Sequence, residues 1–175
     1  LRNFFSKKEC KDIINEGIDY AKKYKWSKKR HMNYPTTDNR LNFKWKVWDN
    51  IIIKVNKIIF PELSKLYNLK INNFGINEIF LIKYNYKDQK GLEFHEDGSE
   101  FSFIIKLNNN FSGGGTSFKY KNIKPKMNVG DCLIFSGKNT HKGNNITSGT
   151  RYVLAGFINY GGMYYCEDYI EKNVD

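Results

Sequence analysis

Residues 92–97, Leu-Glu-Phe-His-Glu-Asp, are the stretch on which the fold and the chemistry of this chain depend most. They predict a short strand that ends at His95, with Asp97 two positions further on. Because side chains i and i+2 of an extended strand point to the same side, the imidazole and the carboxylate are placed to converge on one ion. Alone the motif is weak, since a histidine near a turn aspartate is common on protein surfaces.

Similar short strand patterns surround this stretch. After Asn73, apolar runs are separated by Gly, Asn, Asp and Ser. Apolar residues alternate over 101–107, with Ser102 and Lys106 on the opposite face and Ile104 as an interruption. Several short strands joined by turn-forming residues predict a β-sandwich or barrel. The predicted strands are Glu78–Tyr86, Leu92–His95, Glu100–Leu107, Thr116–Tyr120, Asp131–Phe135 and Arg151–Tyr160.

The N-terminal residues have the pattern of an amphipathic helix. Ser6 and Glu9 have the spacing of a capping box, in which a hydroxyl and a carboxylate each bind a free backbone N–H. Apolar residues then recur at helical spacing to about Tyr24. They are Ile13, Ile14, Ile18 and Ala21.

A loop and a second helix follow. Residues 27–40 are polar and include Pro35, which predicts a loop. Residues 45–66 carry apolar side chains at helical spacing, and Pro61 would kink or divide this helix. The expected organisation is a single α+β domain, mainly β, with a helical support region over 1–73, a β core over 74–160 and a C-terminal tail over 161–175.

The charge of the chain is strongly positive. Its 175 residues include 29 Lys and Arg against 18 Asp and Glu, a net charge of +11. Such a charge is typical of proteins that bind nucleic acid or an anionic surface. Here the lysines are spread along the chain, and a compositional bias that also enriches asparagine and isoleucine explains them as well. Arginine occurs only as Arg2, Arg30, Arg40 and Arg151.

The remaining composition excludes several classes of protein. The three cysteines, Cys10, Cys132 and Cys166, form neither a disulfide framework nor a Cys-x-x-Cys metal site. The apolar runs are too short for a transmembrane segment, and no signal peptide is visible. A soluble chain is therefore expected, and a cytoplasmic location is compatible with it. The sequence leaves the actual compartment and the oligomeric state open.

Two later residues add to the His95–Asp97 motif. His141 would supply a third ligand from a later strand, and two histidines with one carboxylate form the arrangement that leaves positions open on non-haem Fe(II). Arg151 follows His141 by ten positions. In a chain that otherwise uses lysine, an arginine there favours bidentate recognition of a carboxylate, although a surface salt bridge would also account for it.

Seven segments stand in order along the chain: Leu81-Ile-Lys-Tyr84, Phe94-His-Glu-Asp97, Leu107-Asn108, Phe111-Ser-Gly-Gly-Gly-Thr-Ser-Phe118, Pro125-Lys-Met-Asn-Val-Gly-Asp131, Thr140-His141 and Gly149-Thr-Arg-Tyr152. Together they resemble the catalytic core of Fe(II)/2-oxoglutarate dioxygenases, and within that group the protein prolyl and lysyl hydroxylases. The N-terminal residues 3–10 also resemble the opening of prolyl 4-hydroxylase domains. The ordered set is far more specific than any one of its members.

The resemblance implies a double-stranded β-helix, a jelly-roll barrel supported by N-terminal helices. It also implies that His95, Asp97 and His141 bind Fe(II), and that Arg151 pairs with the distal carboxylate of 2-oxoglutarate. These four residues are the expected catalytic set.

Two further residues take roles from the resemblance. Tyr84 matches the family tyrosine that hydrogen-bonds 2-oxoglutarate, and Thr116 matches a residue that lines the same pocket. The implied reaction uses O2, with ascorbate as a further cofactor. It hydroxylates a side chain of a protein or peptide partner and releases succinate and CO2.

The target residue stays open between lysine and proline. The position of Arg151, the triple glycine 113–115 and Gly149-Thr-Arg-Tyr152 resemble procollagen lysyl hydroxylases, whereas collagen-type prolyl 4-hydroxylases typically carry lysine near the arginine position. Thr116 instead resembles the prolyl enzymes, because lysyl hydroxylases usually carry cysteine there. The chain is also too short to contain the glycosyltransferase portions of the large lysyl enzymes.

Charge gives two opposing hints about the target. Acidic residues near the metal motif would form an acidic mouth that favours lysine, unless they are only solvated turn residues. The net charge of +11 would instead repel lysine-rich peptides over long range, to an extent that salt reduces. The acidic residues are Asp88, Glu93, Glu96 and Glu100.

Glycines and one cysteine are assigned structural roles. Residues 113–115 are expected to form a tight connection beside the pocket, because no Gly-Lys-Ser/Thr follows as a phosphate-binding loop requires. Gly130 and Asp131 predict a turn that enters a strand, and Cys132 is expected to be a buried apolar residue.

Two other functions are weighed against hydroxylation of a protein. A dioxygenase that acts on nucleic acid would fit the positive charge, but its pattern expects a second arginine six residues beyond Arg151, and that position is Phe157. A non-catalytic binding module would keep the barrel, but the complete ligand set argues against it.

Overall fold

The structure is a computed structural model that describes residues 1–31 and 33–161. Two β-sheets face each other across a cavity, and the helices pack on the outer face of the larger sheet. Of the predicted tail over 161–175, all but Gly161 lies outside the described residues. The helices are α1 (Lys7–Tyr24), α2 (Trp48–Lys54) and α3 (Phe60–Tyr67). The strands are β1 (Asp38–Arg40), β2 (Phe74–Asn85), β3 (Leu92–His95), β4 (Phe101–Lys106), β5 (Phe111–Gly113), β6 (Thr116–Phe118), β7 (Cys132–Ser136), β8 (His141–Gly143) and β9 (Ile146–Tyr160).

The larger sheet has six strands in the order β1-β2-β9-β4-β7, with β5 also pairing with β9. The smaller sheet has three strands in the order β3-β8-β6. All of these pairs are antiparallel, and several join strands that are distant in the sequence. Two facing antiparallel sheets connected in this way form a jelly roll. The prediction of a mainly β domain with N-terminal helices and a jelly-roll core is therefore confirmed.

The start of α1 is fixed by the predicted capping box. The Glu9 backbone N–H donates to Ser6 Oγ, and the Ser6 backbone N–H donates to a Glu9 carboxylate oxygen at 2.7 Å. Lys54 Nζ lies 2.8 Å from the other Glu9 oxygen, so the cap also ties α1 to the end of α2. None of the described helices is long and apolar enough to span a membrane.

The buried face of α1 differs in one position from the predicted one. Ile18, which the helical spacing placed among the apolar residues, is 36% exposed. Gly17 is buried instead. It packs so closely against β2 that a Cβ at this position would lie 2.1 Å from the side chain of Leu81. The close approach of β2 to α1 therefore takes up the space that a larger residue at position 17 would need.

The second helix runs without interruption from Trp48 to Tyr67 but changes its winding before Pro61. Between α2 and α3, Val55–Ile59 form a π-helical turn, and the Phe60 N–H donates to the Val55 carbonyl. Proline has no N–H and its ring clashes with a carbonyl one turn back, so the wider turn accommodates it. Pro61 thus neither ends nor divides the helix at that point.

Three strands were not delimited from the sequence. Residues 38–40, which the polar pattern assigns to a loop, form β1 and pair with Phe80–Ile82 of β2. β5 was missed, and for β8 the sequence predicted only that His141 lies on a later strand, without bounds. Each of the three has only three residues, which is too short to show an alternating pattern.

Predicted turns and the buried cysteine agree with the structure. Gly130 has a φ of 88° just before β7, and a Cβ there would lie 1.9 Å from the Phe5 carbonyl oxygen. Cys132 is buried, and burial raises the pKa of its thiol to about 12. The N-terminal segment therefore packs tightly against the turn that starts β7.

The larger sheet has two different faces. Its outer face carries Phe103, Ile105 and Leu154, which pack with residues from all three helices. Its inner face, which lines the cavity between the sheets, carries Ser102 and Arg151. Alternation along the strands thus separates the core under the helices from a cavity that is lined by both polar and apolar side chains.

Candidate metal and co-substrate site

The structure brings His95, Asp97 and His141 together at one end of the cavity. His95 ends β3 and His141 begins β8, and the two residues are paired directly across the smaller sheet. Asp97 lies just beyond β3, where its backbone N–H donates to the Gly137 carbonyl at 2.8 Å. One ligand atom from each of the three residues lies within 4.8 Å of the other two.

Both imidazoles are held in the same way. His95 Nδ1 lies 2.7 Å from the Glu93 carbonyl oxygen, and His141 Nδ1 lies 2.8 Å from the Asn139 carbonyl oxygen. A carbonyl only accepts, so each Nδ1 carries the proton and donates it. Each Nε2 is then left with a lone pair, which is the form in which histidine binds a metal ion.

Asp97 is held as a carboxylate. Ser102 Oγ donates to Asp97 Oδ2 at 2.6 Å, and His95 Nε2 lies 3.5 Å from Asp97 Oδ1. Burial alone would raise the pKa of Asp97, but the contacts with His95, His141 and Ser102 outweigh burial and lower it. Asp97 is therefore a carboxylate at neutral pH, which is the form in which it would bind a metal ion.

The two histidines differ in their proton affinity. At His95, burial alone would lower the pKa, but Asp97 and the Glu93 carbonyl outweigh burial and raise it. At His141, burial dominates and lowers the pKa. His141 therefore loses its extra proton at a lower pH than His95. A metal ion would have to compete with a proton mainly at His95.

This donor set fits a divalent transition metal ion. Two neutral imidazole nitrogens and one carboxylate oxygen on one side of an ion are the ligands of non-haem Fe(II) enzymes. The residues that the sequence predicts as ligands therefore have the positions and protonation that Fe(II) would require. Their role as iron ligands stays a prediction.

Arg151 lies at the other end of the same cavity. It is 4% exposed and is paired with Tyr84 across β9 and β2. Its guanidinium donates to the Gly115 carbonyl at 3.1 Å and to Thr116 Oγ1 at 3.4 Å, and its central carbon lies 5.4 Å from the centre of the Tyr84 ring. The structure thus brings together the three residues that the sequence assigns to the co-substrate.

No ion pair within the described part of the chain compensates the charge of Arg151. Lys106 is a neighbouring charge of the same sign, since burial and then the charge of Arg151 lower its pKa. A buried cation without a counterion is costly. This end of the cavity is therefore suited to an anion such as a carboxylate.

The triple glycine borders the anion end, as expected. Gly113, Gly114 and Gly115 all have positive φ values, between 66° and 95°. A Cβ on Gly114 would lie 3.4 Å from Arg151 Cδ and 3.0 Å from the Ile146 side chain. Glycine at 114 therefore lets the β5–β6 connection pass close to the arginine.

The cavity between the two ends has a volume of about 380 Å³ and is open at one side. The predicted acidic mouth is not assembled there, since of its four members only Glu96 lines the cavity. Asp88 instead forms an ion pair with Lys28 on the surface. Glu93 and Glu100 are exposed and do not line the cavity.

Sequence reasoning missed a second group of residues at the open side. His31 lines the cavity and packs on Phe80, with ring centres 4.9 Å apart. Its neighbour Arg30 forms ion pairs with Asp38 and Glu78. These contacts tie the segment that the sequence assigned to a loop against β1 and β2. The only signal was the presence of two of the rare histidine and arginine residues side by side.

Relatives of this chain in sequence are found among procollagen lysine hydroxylases. No family model matches the chain. It is 29% identical over 171 residues to human procollagen-lysine,2-oxoglutarate 5-dioxygenase 2, covering 88% of this chain and 22% of the relative. It is 33% identical over 135 residues to the procollagen lysyl hydroxylase and glycosyltransferase of Acanthamoeba polyphaga mimivirus, covering 73% of this chain and 15% of that protein. The chain thus spans less than a quarter of the length of these curated relatives.

Solved structures share the fold. A collagen prolyl hydroxylase of Paramecium Bursaria Chlorella virus-1, solved as a 2-oxoglutarate complex, superposes with a TM-score of 0.68 at 19% identity, covering 90% of this chain and 93% of that one. A prolyl-4-hydroxylase of Pseudomonas putida gives 0.72 at 12% identity, with 93% and 91% covered. The jelly roll, the sequence relatives and the residues gathered in its cavity together place the chain in the 2-oxoglutarate-dependent dioxygenase family that includes the procollagen lysyl and prolyl hydroxylases.

Proposed function

We propose that this chain hydroxylates a side chain of a protein or peptide in a reaction that depends on Fe(II) and 2-oxoglutarate and releases succinate and CO2. The observation that carries the proposal is the pairing of two features in one cavity. At one end, two histidines and an aspartate present free ligand atoms. At the other, a buried arginine has no ion pair within the described residues.

The residues at the two ends of the cavity would have different roles. Fe(II) held by His95, Asp97 and His141 would supply, with O2 and 2-oxoglutarate, the oxidising power for attack on a C–H bond. The free N–H groups of Arg151 would hold the distal carboxylate of 2-oxoglutarate in a bidentate contact. The Tyr84 hydroxyl would donate a hydrogen bond to the same group.

The protonation of this end suits that role. Burial raises the pKa of Tyr84, so the hydroxyl keeps its proton and remains a donor. Burial lowers the pKa of Arg151, but a guanidinium stays charged at any physiological pH. Thr116 Oγ1 holds one arm of the guanidinium in place. Apolar cavity residues such as Ile82, Val153 and Ala155 would exclude water from the reaction.

Lysine is the target that we place first. The curated relatives are named as procollagen lysine hydroxylases, and the match to the human one covers 88% of this chain. The arginine and glycine motifs point the same way. Proline is the second candidate, because Thr116 is of the prolyl hydroxylase type. A collagen-like protein would be the substrate class in either case.

The experiment is a turnover assay with defined peptides. The purified chain is incubated with Fe(II), ascorbate and 2-oxoglutarate in air, and succinate is measured with a collagen-like lysine peptide, a proline-rich peptide or a methylated oligonucleotide. We expect stimulation by the lysine peptide, and mass spectrometry should find one added oxygen on it. The variant His141→Ala provides the metal-free background.

Other outcomes would assign the chain differently. Stimulation by the proline peptide alone would make the chain a prolyl hydroxylase, and stimulation by the oligonucleotide alone would overturn the protein substrate. If no addition stimulates succinate release above the His141→Ala background, the chain is a binding module on the same fold.

A further inference from the structure

One polar residue of β4, which the sequence places on the face opposite the alternating apolar residues, faces the metal site. Ser102 is 1% exposed, and it lies opposite Phe157 on the cavity side of the larger sheet. Its hydroxyl donates to Asp97 Oδ2 at 2.6 Å. This bond joins the larger sheet to the residue that follows β3 of the smaller one.

The hydrogen bond makes the two oxygens of Asp97 unequal. Oδ2 accepts from Ser102 and lies 3.7 Å from His141 Nε2, whereas Oδ1 lies 3.5 Å from His95 Nε2 and accepts no hydrogen bond within the described residues. An oxygen that already accepts a short hydrogen bond has less electron density to offer an ion. Oδ1 is therefore the oxygen left for a metal ion.

The serine itself is held by a second serine. Ser99 Oγ and Ser102 Oγ are 3.2 Å apart, and both residues are buried. Because the Ser102 proton goes to Asp97, Ser99 must be the donor in this contact. The backbone of Ser99 packs tightly in turn, since a Cβ on Gly137 would lie 2.0 Å from the Ser99 carbonyl oxygen. The Ser99–Ser102–Asp97 chain thus has one direction of donation.

We propose that Ser102 is a positioning residue of the metal site, which holds Asp97 in one orientation as a ligand through a single oxygen. This inference rests on the proposed function, because it assumes that the His-Asp-His set binds a divalent metal ion. A carboxylate that binds through both oxygens would occupy one more position on the ion. Ser102 would thereby leave open the positions that the co-substrates need, and its hydroxyl would act through Asp97.

The test is metal affinity, measured without turnover. Mn(II) is titrated into the metal-free protein without 2-oxoglutarate, and free Mn(II) is followed by its electron paramagnetic resonance signal. Loss of a group that orients a metal ligand typically weakens metal binding about 10- to 100-fold. We expect a loss of that size for Ser102→Ala. Ser102→Thr keeps the hydroxyl, and it should restore affinity to within about threefold of the wild type.

A matched control separates positioning from packing. Ser99→Ala removes the same group from a neighbouring buried serine that hydrogen-bonds Ser102 and not Asp97, so it should weaken Mn(II) binding less than Ser102→Ala. The unfolding midpoint of each metal-free variant checks that the protein is folded. Wild-type Mn(II) affinity in folded Ser102→Ala would overturn the inference and leave the proposed function standing, as would equal losses in Ser99→Ala and Ser102→Ala. Absence of Mn(II) binding by the wild type would overturn both.

Discussion

The two faces of the larger sheet are buried to the same degree but for different reasons. Phe103 and Leu154 on the outer face are 0% exposed, and Ser102 and Arg151 on the inner face are 1% and 4% exposed. The outer residues contact other apolar side chains from the helices. The inner ones contact polar groups and a cavity. Burial alone therefore does not distinguish a residue that stabilises the fold from one that serves the site.

Substitutions on the two faces should affect different properties of the protein. Burying apolar area stabilises a protein by roughly 25 cal/mol per Å². A buried polar group gains little net stability from its hydrogen bonds. We therefore expect substitutions on the outer face to change the free energy of unfolding, and substitutions on the inner face to change metal or co-substrate binding.

The largest effect is expected for His95→Ala. Removal of one of three ligands should lower succinate formation by more than about 100-fold, because loss of even an outer contact of a metal ligand costs 10- to 100-fold. The metal-free variant should unfold within about 1 kcal/mol of the metal-free wild type. Turnover and urea unfolding are measured on the same samples. Substantial iron-dependent turnover by this variant would exclude His95 as a ligand.

On the outer face, Leu154→Ala should have the opposite profile. Leu154 is fully buried among residues of the helical core, and truncation of such a leucine costs about 2–5 kcal/mol. The loss is read from urea unfolding. At a temperature where the variant is folded, its Michaelis constant for 2-oxoglutarate should equal that of the wild type. Its neighbour Val153, which lines the cavity, offers the matched change Val153→Ala. A larger loss of stability from Val153→Ala than from Leu154→Ala would contradict the assignment of the two faces.

Arg151→Lys tests the anion end. Lysine keeps the charge but cannot make a bidentate contact. Loss of a charged hydrogen bond costs about 1.5–3 kcal/mol. The Michaelis constant for 2-oxoglutarate should then rise by roughly 10- to 100-fold. Arg2→Lys changes an arginine that pairs with Asp131 and does not line the cavity, and it should leave this constant unchanged. An equal constant in Arg151→Lys and the wild type would remove Arg151 from the co-substrate site.

The sequence predicted the parts of the molecule that depend on spacing. His95, Asp97, His141 and Arg151 were picked out by their residue types and their order, and the structure gathers all four around one cavity. The capping box was predicted for the same reason, since it needs only two residues three positions apart. Local patterns of this kind can be recognised without knowing how the rest of the chain folds.

The parts that were missed depend on what packs against them. Ser102 alternates with apolar residues, which is typical of a solvent-exposed face, and nothing local shows that a second sheet covers it. Glu93 and Glu100 adjoin the metal motif in sequence, but they do not line the cavity. His31 reaches the cavity because it packs on Phe80 of β2, which is distant in sequence. Contacts between segments that are distant in sequence cannot be predicted from the pattern of one amino-acid sequence.

The smallest effect that we predict lies on the helix that supports the outer face. The hydrogen bonds that Glu9 accepts from Lys54, Asn50 and Ser6 outweigh the effect of burial and lower its pKa from 4.5 to about 2. A carboxylate whose pKa is lower in the folded state stabilises the fold above its unfolded pKa, and this contribution is lost as the pH falls from about 4.5 towards 2. Glu9→Gln should therefore cost about 1 kcal/mol of unfolding free energy at pH 7.

The pH dependence of that cost makes the prediction specific. The difference between Glu9→Gln and the wild type should shrink as unfolding is measured at successively lower pH, because protonation removes the same charge from the wild type. Glu93→Gln replaces an exposed carboxylate in the same way and is measured alongside as the matched control. Because Glu9 supports only the helical side of the larger sheet, both variants should bind Mn(II) as the wild type does. Weakened Mn(II) binding by folded Glu9→Gln would show that the outer side of the sheet is coupled to the cavity after all.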